Sequence, residues 1–293
     1  MIRHGLLLAA GLALSGCVVD ASVTQAPPAP VPAVPAGGVP AGMQYLYGSG
    51  EAAALSVQAY AALVDQTRAR IAKRGGVSVV LEPGATLASP RFQSCGDKPP
   101  AAVFDVDETL LLNLGYEGDD AQRSDGWDSA RWDRWEKTGA MKVAAVPGAL
   151  DAVRALRAMG VTVVFNTNRA AANAEQTEAA LTFAGLGPAK YGETLFLKGD
   201  VDGKSGKDGR RNAIAQRWCV VAMGGDQLGD FTDLFAGLTP PERRAAAASP
   251  ALAALWGHGW FVLPNPVYGT GLGSTYDQTF PSATRWTDPQ EKH

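Results

Sequence analysis

Histidine is nearly missing from this 293-residue chain. The three residues present, His4, His258 and His293, form no cluster with metal-ligand spacing, which sets aside zinc or copper sites built on imidazole. No serine or cysteine nucleophile motif is found, so acyl-enzyme hydrolases have no candidate residue. Positive charge is not in excess: 26 Lys and Arg against 29 Asp and Glu leave a formal charge of −3. Such a surface gives no reason to expect a nucleic-acid polymer as partner. Beyond the first residues there is no apolar run long enough to cross a bilayer. Cysteine is scarce too, with only Cys17, Cys95 and Cys219.

What is present begins with an address. Met1 to His4 is basic, Gly5–Leu14 is apolar, and Ser15-Gly16-Cys17 follows. This order reads as a secretory signal over residues 1–16, too short to span as a mature helix. Leu14-Ser15-Gly16-Cys17 resembles the bacterial lipoprotein processing box. That resemblance implies cleavage before Cys17, lipid on Cys17, and attachment to a membrane of the bacterial envelope; Val18 after the cysteine favours the outer one. Residues 17–42 carry six prolines and read as an extended tether, about 80 Å at full reach at about 3.1 Å per residue. With Cys17 lipidated, Cys95 and Cys219 remain in an oxidising compartment, ten and seven residues before the acids Asp105 and Asp226. They form either a disulfide or two buried thiols.

Residues 43–293 are expected to form one domain. A helix capped by Ser49 is expected to run to about Arg74, with Leu55, Ala59, Leu63 and Ile71 inward and Gly75-Gly76 ending it. Apolar β-type runs follow at Ala101–Val106, Val161–Asn166, Thr194–Leu197, Cys219–Met223 and Trp260–Leu263. Helical patterns lie between most of them, at Pro147–Met159, Ala170–Ala184 and Lys207–Trp218. Short continuous apolar strands separated by helices predict a doubly wound α/β fold with a mostly parallel sheet. An insertion at about 114–146, directly after the first strand, carries Tyr116, Trp127, Trp132 and Trp135 and is placed to cap the crevice.

That crevice is where the chemistry collects. Asp105-Val106-Asp107 leaves the first strand, and residues i and i+2 of a strand share a face. In open α/β sheets ligands bind beyond the carboxyl ends of the strands. Two like charges there repel unless a cation or a proton intervenes. A second pair, Asp226 and Asp230, follows another apolar run; Thr167-Asn168-Arg169 and Lys207 complete the set. A nucleophilic acid, a second acid, a hydroxyl, a lysine and metal-binding carboxylates are what phosphoryl transfer through a carboxylate needs. Asp107, crowded by other acids, is expected to carry a proton for the leaving group under mildly acidic conditions. Oxygen ligands without sulfur or imidazole suit Mg²⁺.

These motifs resemble the haloacid dehalogenase (HAD) superfamily and, within it, the class C nonspecific acid phosphatases. The likeness runs in order through Gln58-Ala59-Tyr60, Asp105–Thr109, Ala145–Gly148, Asn168-Arg169, Lys204–Lys207 with Arg210, Gly225–Phe231, Leu263–Pro266 and Tyr268-Gly269. The resemblance implies that Asp105 attacks phosphorus and that Asp107 protonates the leaving group and then activates water. It implies Mg²⁺ on Asp105, the Asp107 carbonyl and Asp226, with Asp230 beside it, and phosphoryl oxygens on Thr167 and Lys207. The substrate it implies is a small phosphomonoester, often a nucleoside monophosphate, with Asn168 near the substrate and the base stacked between Trp127 and Tyr268. A second copy of the chain is kept as a candidate partner.

Two departures stand out. Leu112 occupies a position that is often acidic in the family, which is expected to change polarity near the crevice. Val201-Asp202-Gly203 precedes the lysine motif and makes Lys204 a competitor of Lys207, with Lys207 preferred for its spacing to Arg210. Asp230 has a second reading, as the cap of a following helix. The readings from other classes are a noncatalytic surface or storage protein, a phosphorylatable receiver domain and a DxD sugar-nucleotide transferase. The last leaves Thr167, Lys207 and Asp226 unexplained; a receiver takes its acidic pair and its phosphorylated aspartate from different strands and needs an ATP-fed kinase that an exported lipoprotein does not meet; and the first has no need of a nucleophile.

Overall fold

In the computed structural model, the residues described are Met1, 38–73 and 76–289. The expected signal segment, most of the tether including Cys17, and Arg74 and Gly75 lie outside them. Helix α1 (Ala41–Gly48) leads into α2 (Gly50–Ala72), and the Ser49 hydroxyl accepts from the Ala52 amide at 3.1 Å. The buried face of α2 runs through Ala52, Ser56, Tyr60, Leu63 and Thr67, while Leu55, expected inward, is 46 % exposed. Leu55 lies one residue, about 100° of rotation, away from Ser56. The buried face packs against the main sheet and against the helix Ala149–Ala158. Where it does so, a Cβ on Gly224 would sit 2.7 Å from the Phe104 ring, with Leu63 just beyond.

Strands β1 (Val77–Leu81) and β2 (Phe92–Ser94) pair antiparallel, a hairpin the periodicity does not announce. Then come β3 (Pro100–Phe104), β4 (Leu111–Leu112), α3 (Leu114–Asp120), α4 (Ser129–Thr138), β5 (Ala144–Ala145) and α5 (Ala149–Ala158). They are followed by β6 (Thr162–Ala170), α6 (Ala174–Phe183), β7 (Leu195–Lys198), α7 (Asp208–Arg217), β8 (Cys219–Gly225), α8 (Pro240–Ala247) and β9 (Trp260–Val262). Five strands form one parallel sheet in the order β7-β6-β3-β8-β9. This is the doubly wound architecture: from β3 the chain winds outward through β6 and β7, then returns to the other side of β3 for β8 and β9. The switch point lies beside β3, so the crevice opens at its carboxyl end.

The continuous apolar run of β3 is explained by two cores. Ala102 and Phe104 join a cluster with Tyr60 and Leu63 of α2, Val153 and Leu156 of α5 and Leu181 of α6. Ala101 and Val103 face Val79 and Val80 of the hairpin and Ile214 and Ala215 of α7. Helix α5 begins at Ala149 after Gly148, whose φ of +87° only glycine adopts freely, so Pro147 stands outside the first turn where it was expected inside. Leu112 is buried in β4 opposite Ala144 and packs in the core, away from the cavity walls. Cys95 and Cys219 are joined as a disulfide with Cα atoms 4.6 Å apart, tying the end of the hairpin to the start of β8.

Candidate active site

Asp105 is the first residue beyond β3, and its amide donates to the Gly224 carbonyl of β8 at 3.0 Å, which sets it level with Asp226 at the end of the neighbouring strand. The chain then turns sharply: Leu110 and Leu111 amides both return to the Val106 carbonyl, and Glu108 takes a φ of +52°. A non-glycine residue held there costs of order 1 kcal/mol or more. Its buried carboxylate is what holds it, accepting from the Asn113 amide at 2.9 Å, the Asn113 side chain, the Tyr47 hydroxyl and the Tyr268 hydroxyl. Burial, then the charge of Asp107, push Glu108 up to about 8 against the Tyr268 and Asn113 hydrogen bonds.

One oxygen each of Asp105, Asp226 and Asp230 lies within 4.8 Å of the others. Lys207, the residue before α7, reaches Asp105 at 2.5 Å and Asp230 at 2.6 Å. Burial alone would lower the Lys207 ammonium, but Asp105 and Asp230 outweigh it and hold it above its usual range. Burial, with Asp230 next, pushes Asp226 up to about 7. Asp226 is aimed by Thr109 Oγ1 at 3.0 Å, Asn265 at 2.7 Å and Gln227 at 2.9 Å. Burial raises Asp105 as well; once ionised, the three carboxylates exceed the one ammonium by two negative charges in an oxygen-ligand set, which fits a divalent cation.

Asp107 is met by a set of donors that its spacing does not announce. Strand β6 continues past Asn166 to Ala170, and its period of two puts Thr167 and Arg169 on the buried side and Asn168 outward. Arg169 donates to Asp107 Oδ1 through Nε at 2.9 Å and Nη2 at 2.8 Å, Asn113 Nδ2 reaches the same oxygen at 3.0 Å, and Thr167 Oγ1 reaches Oδ2 at 3.3 Å. The nearest charge to Asp107 is therefore positive. Asn168 accepts from Arg210, which also grips the Thr167 carbonyl.

The site opens into a cavity of about 890 Å³ lined by Asp105, Asp107, Asn168, Lys207, Asp226 and Asp230, with Trp127 and Tyr268 also on its wall. Trp127 is 70 % exposed, and Tyr268 does more than offer a ring, since its hydroxyl holds Glu108. Trp135 packs on the core and bonds Asn113, whereas Trp132 both packs edge-on to Tyr116 and lines the cavity. Lys204 is exposed and Lys207 buried. One oxygen of Asp230 meets Lys207 and the other accepts from the Gln227 amide at 2.8 Å, closing the short turn that ends at Asp230; the turn that follows is capped by Thr232 and not by Asp230. Reasoning from sequence missed the positioning work of Arg169, Asn113, Thr109 and Asn265. Asn113, a polar residue ending the apolar run Leu110–Leu112, was the available signal.

Residues 49–271 match the family model described as HAD superfamily, subfamily IIIB (acid phosphatase). The class C acid phosphatase of Bacillus anthracis, solved with and without tungstate, superposes with a TM-score of 0.65 at 27 % identity, covering 82 % of this chain and 89 % of that one. Acid phosphatase 1 of Solanum lycopersicum is 29 % identical over 171 residues. The chain spans 57 % of the length of that curated relative.

Proposed function

The chain belongs to subfamily IIIB of the HAD superfamily, the acid phosphatases, and from that premise we propose that it is an exported Mg²⁺-dependent phosphomonoesterase acting on small substrates, nucleoside 5′-monophosphates among them. The observation that carries the reading is the meeting of Asp105, Asp226, Asp230 and Lys207, from the ends of β3 and β8 and the start of α7, at the floor of one cavity. Asp105 forms the new bond to phosphorus as the ester oxygen leaves, giving an acyl phosphate. Asp107 supplies the proton to that oxygen and later takes one from the attacking water. Arg169 and Asn113 aim Asp107 for both steps. Lys207 and the Thr167 hydroxyl hold phosphoryl oxygens, where preorganised donors do most in a desolvated site. Mg²⁺, held by Asp105, Asp226 and Asp230, would neutralise charge on the transferring group.

Trp127 and Tyr268 lie on the wall of the same cavity, and a planar base between them fits the nucleotide reading. The proposal of export rests on the signal-like segment 1–16 and on the box before Cys17, which support a lipid-anchored enzyme of the bacterial envelope, at the outer membrane by the Val18 that follows. Labelling with a radioactive fatty acid tests the anchor: incorporation lost in Cys17→Ser supports it, and incorporation unchanged contradicts it. Phosphate release from nucleoside monophosphates and p-nitrophenyl phosphate, with Mg²⁺ against EDTA, tests the activity. Turnover that EDTA does not reduce would remove the metal from the account.

A further inference from the structure

Glu117 is the one carboxylate on the insertion side of the cavity that the protein leaves unanswered. It stands on α3, is 5 % exposed and lines the cavity, and among the described residues no donor bonds its oxygens. The neighbouring acids are all engaged. Asp120 pairs with Arg131, Asp133 with Lys137 and Asn173, and Glu136 accepts from Trp132, Asn173 and the Ala170 amide. The charges that reach Glu117 are Asp120 on its own helix, Arg131 of α4, and Asp107 and Glu108 of the β3 loop. Of these only Arg131 is positive; its terminal nitrogens are taken up by Asp119, Asp120 and the Tyr116 hydroxyl, and its buried Nε bonds nothing, Glu117 included. A desolvated carboxylate in that setting is completed by a cation from outside.

The rings on this wall already hold cations, Arg131 over Tyr116 at 4.7 Å and Arg169 over Trp132 at 6.0 Å, so the group left open to a ligand is the Glu117 carboxylate. The side of the cavity also matters. Asp107 protonates the departing oxygen in the proposed reaction, and Asn113, whose side chain donates to Asp107, accepts from the Glu117 amide at 3.0 Å one turn along α3, whereas Lys207 and the acids expected to hold the metal grip the phosphoryl end. Glu117 therefore faces the leaving group.

We propose that Glu117 forms a leaving-group subsite for an ammonium, so that the enzyme selects phosphomonoesters whose alcohol carries a protonated amine a few carbons from the ester oxygen. The proposal rests on the phosphomonoesterase reading and narrows it to a substrate class.

The test is kcat/KM of the full chain with Mg²⁺ at pH 8, above the value of about 7 to which burial and Asp120 push Glu117. Aminoalkyl phosphates of two to six carbons are compared with alkyl phosphates one carbon longer, which replace the ammonium by a methyl group. The expected result is a preference for the amine of about tenfold or more at one or more lengths, as a charge-assisted contact in a desolvated site gives. The ratio falls toward one in Glu117→Gln, and the optimum moves to a longer chain in Glu117→Asp. A wild-type ratio near one at every length overturns the proposal without needing any variant to fold, as does a ratio unchanged in Glu117→Gln. Hydrolysis of p-nitrophenyl phosphate alongside either result leaves the phosphatase reading standing. Loss of all hydrolysis, p-nitrophenyl phosphate included, removes that reading and the proposal with it.

Discussion

Single side chains divide here into those that react and those that aim them, and the second group is where measurements are most informative. Arg169 is buried and bonds Asp107 twice, so Arg169→Met leaves a carboxylate without its cation. The expected cost is about 3 kcal/mol of stability, read from the urea midpoint, together with a fall in kcat larger than the change in KM. An unchanged midpoint would show that the ion pair contributes nothing net. Glu117 gives a pH-dependent prediction. An acid whose folded-state value is raised, here to about 7, binds its proton more tightly in the native than in the unfolded chain. Its destabilising effect is absent below about pH 4.5, grows as pH rises, and is complete above about 7, amounting to a few kcal/mol at most. The Tm of Glu117→Gln is therefore expected to match wild type near pH 4.5 and exceed it at pH 8; a difference that does not vary with pH contradicts this.

Among the elements, the five strands of the main sheet were legible because each is a short apolar run buried on both faces, and such runs between helices admit few other folds. The hairpin β1–β2 was not legible, since Val77–Leu81 is one more short apolar run without an alternating partner. The end of β6 was also misplaced. Thr167 and Arg169 look like loop residues in a polar run, and only their neighbours Asp107 and Asn113 make a buried strand end of them. Asp105, Asp107, Asp226, Asp230 and Lys207 could be read because charged residues closing apolar runs have few structural uses. Asp233 could not, because its task is set by folding. From the short turn after β8 it accepts from the Lys207 and Asp208 amides at 2.9 and 2.8 Å and pairs with Arg211. It thus caps α7 in place of a residue of α7 itself. Asp233→Ala is expected to cost about 1–2 kcal/mol by denaturant unfolding and to raise KM as Lys207 loosens. Full retention of both values would mean that water replaces the cap.

At the scale of the whole molecule, one disulfide and one charge arrangement govern the account. Cys95–Cys219 closes a segment of 124 residues that contains β3, β6 and β7 and both acids of the first loop. Reduction is expected to lower stability by about 2–5 kcal/mol, seen as a lower urea midpoint with reductant present. The same midpoint in both conditions would argue against the bond in solution. The sheet places Asp105 at the switch point, the loop strained at Glu108 turns Asp107 toward Arg169, and β8 brings Asp226 alongside. In the proposed reaction the nucleophile of this site is a carboxylate. The most direct measurement is therefore rapid acid quench of the enzyme with a ³²P-labelled phosphomonoester, followed by peptide mapping. The account predicts acid-stable label on the peptide carrying Asp105, and none in Asp105→Asn. Turnover by the wild type with no label there, or with label on another peptide, would contradict it.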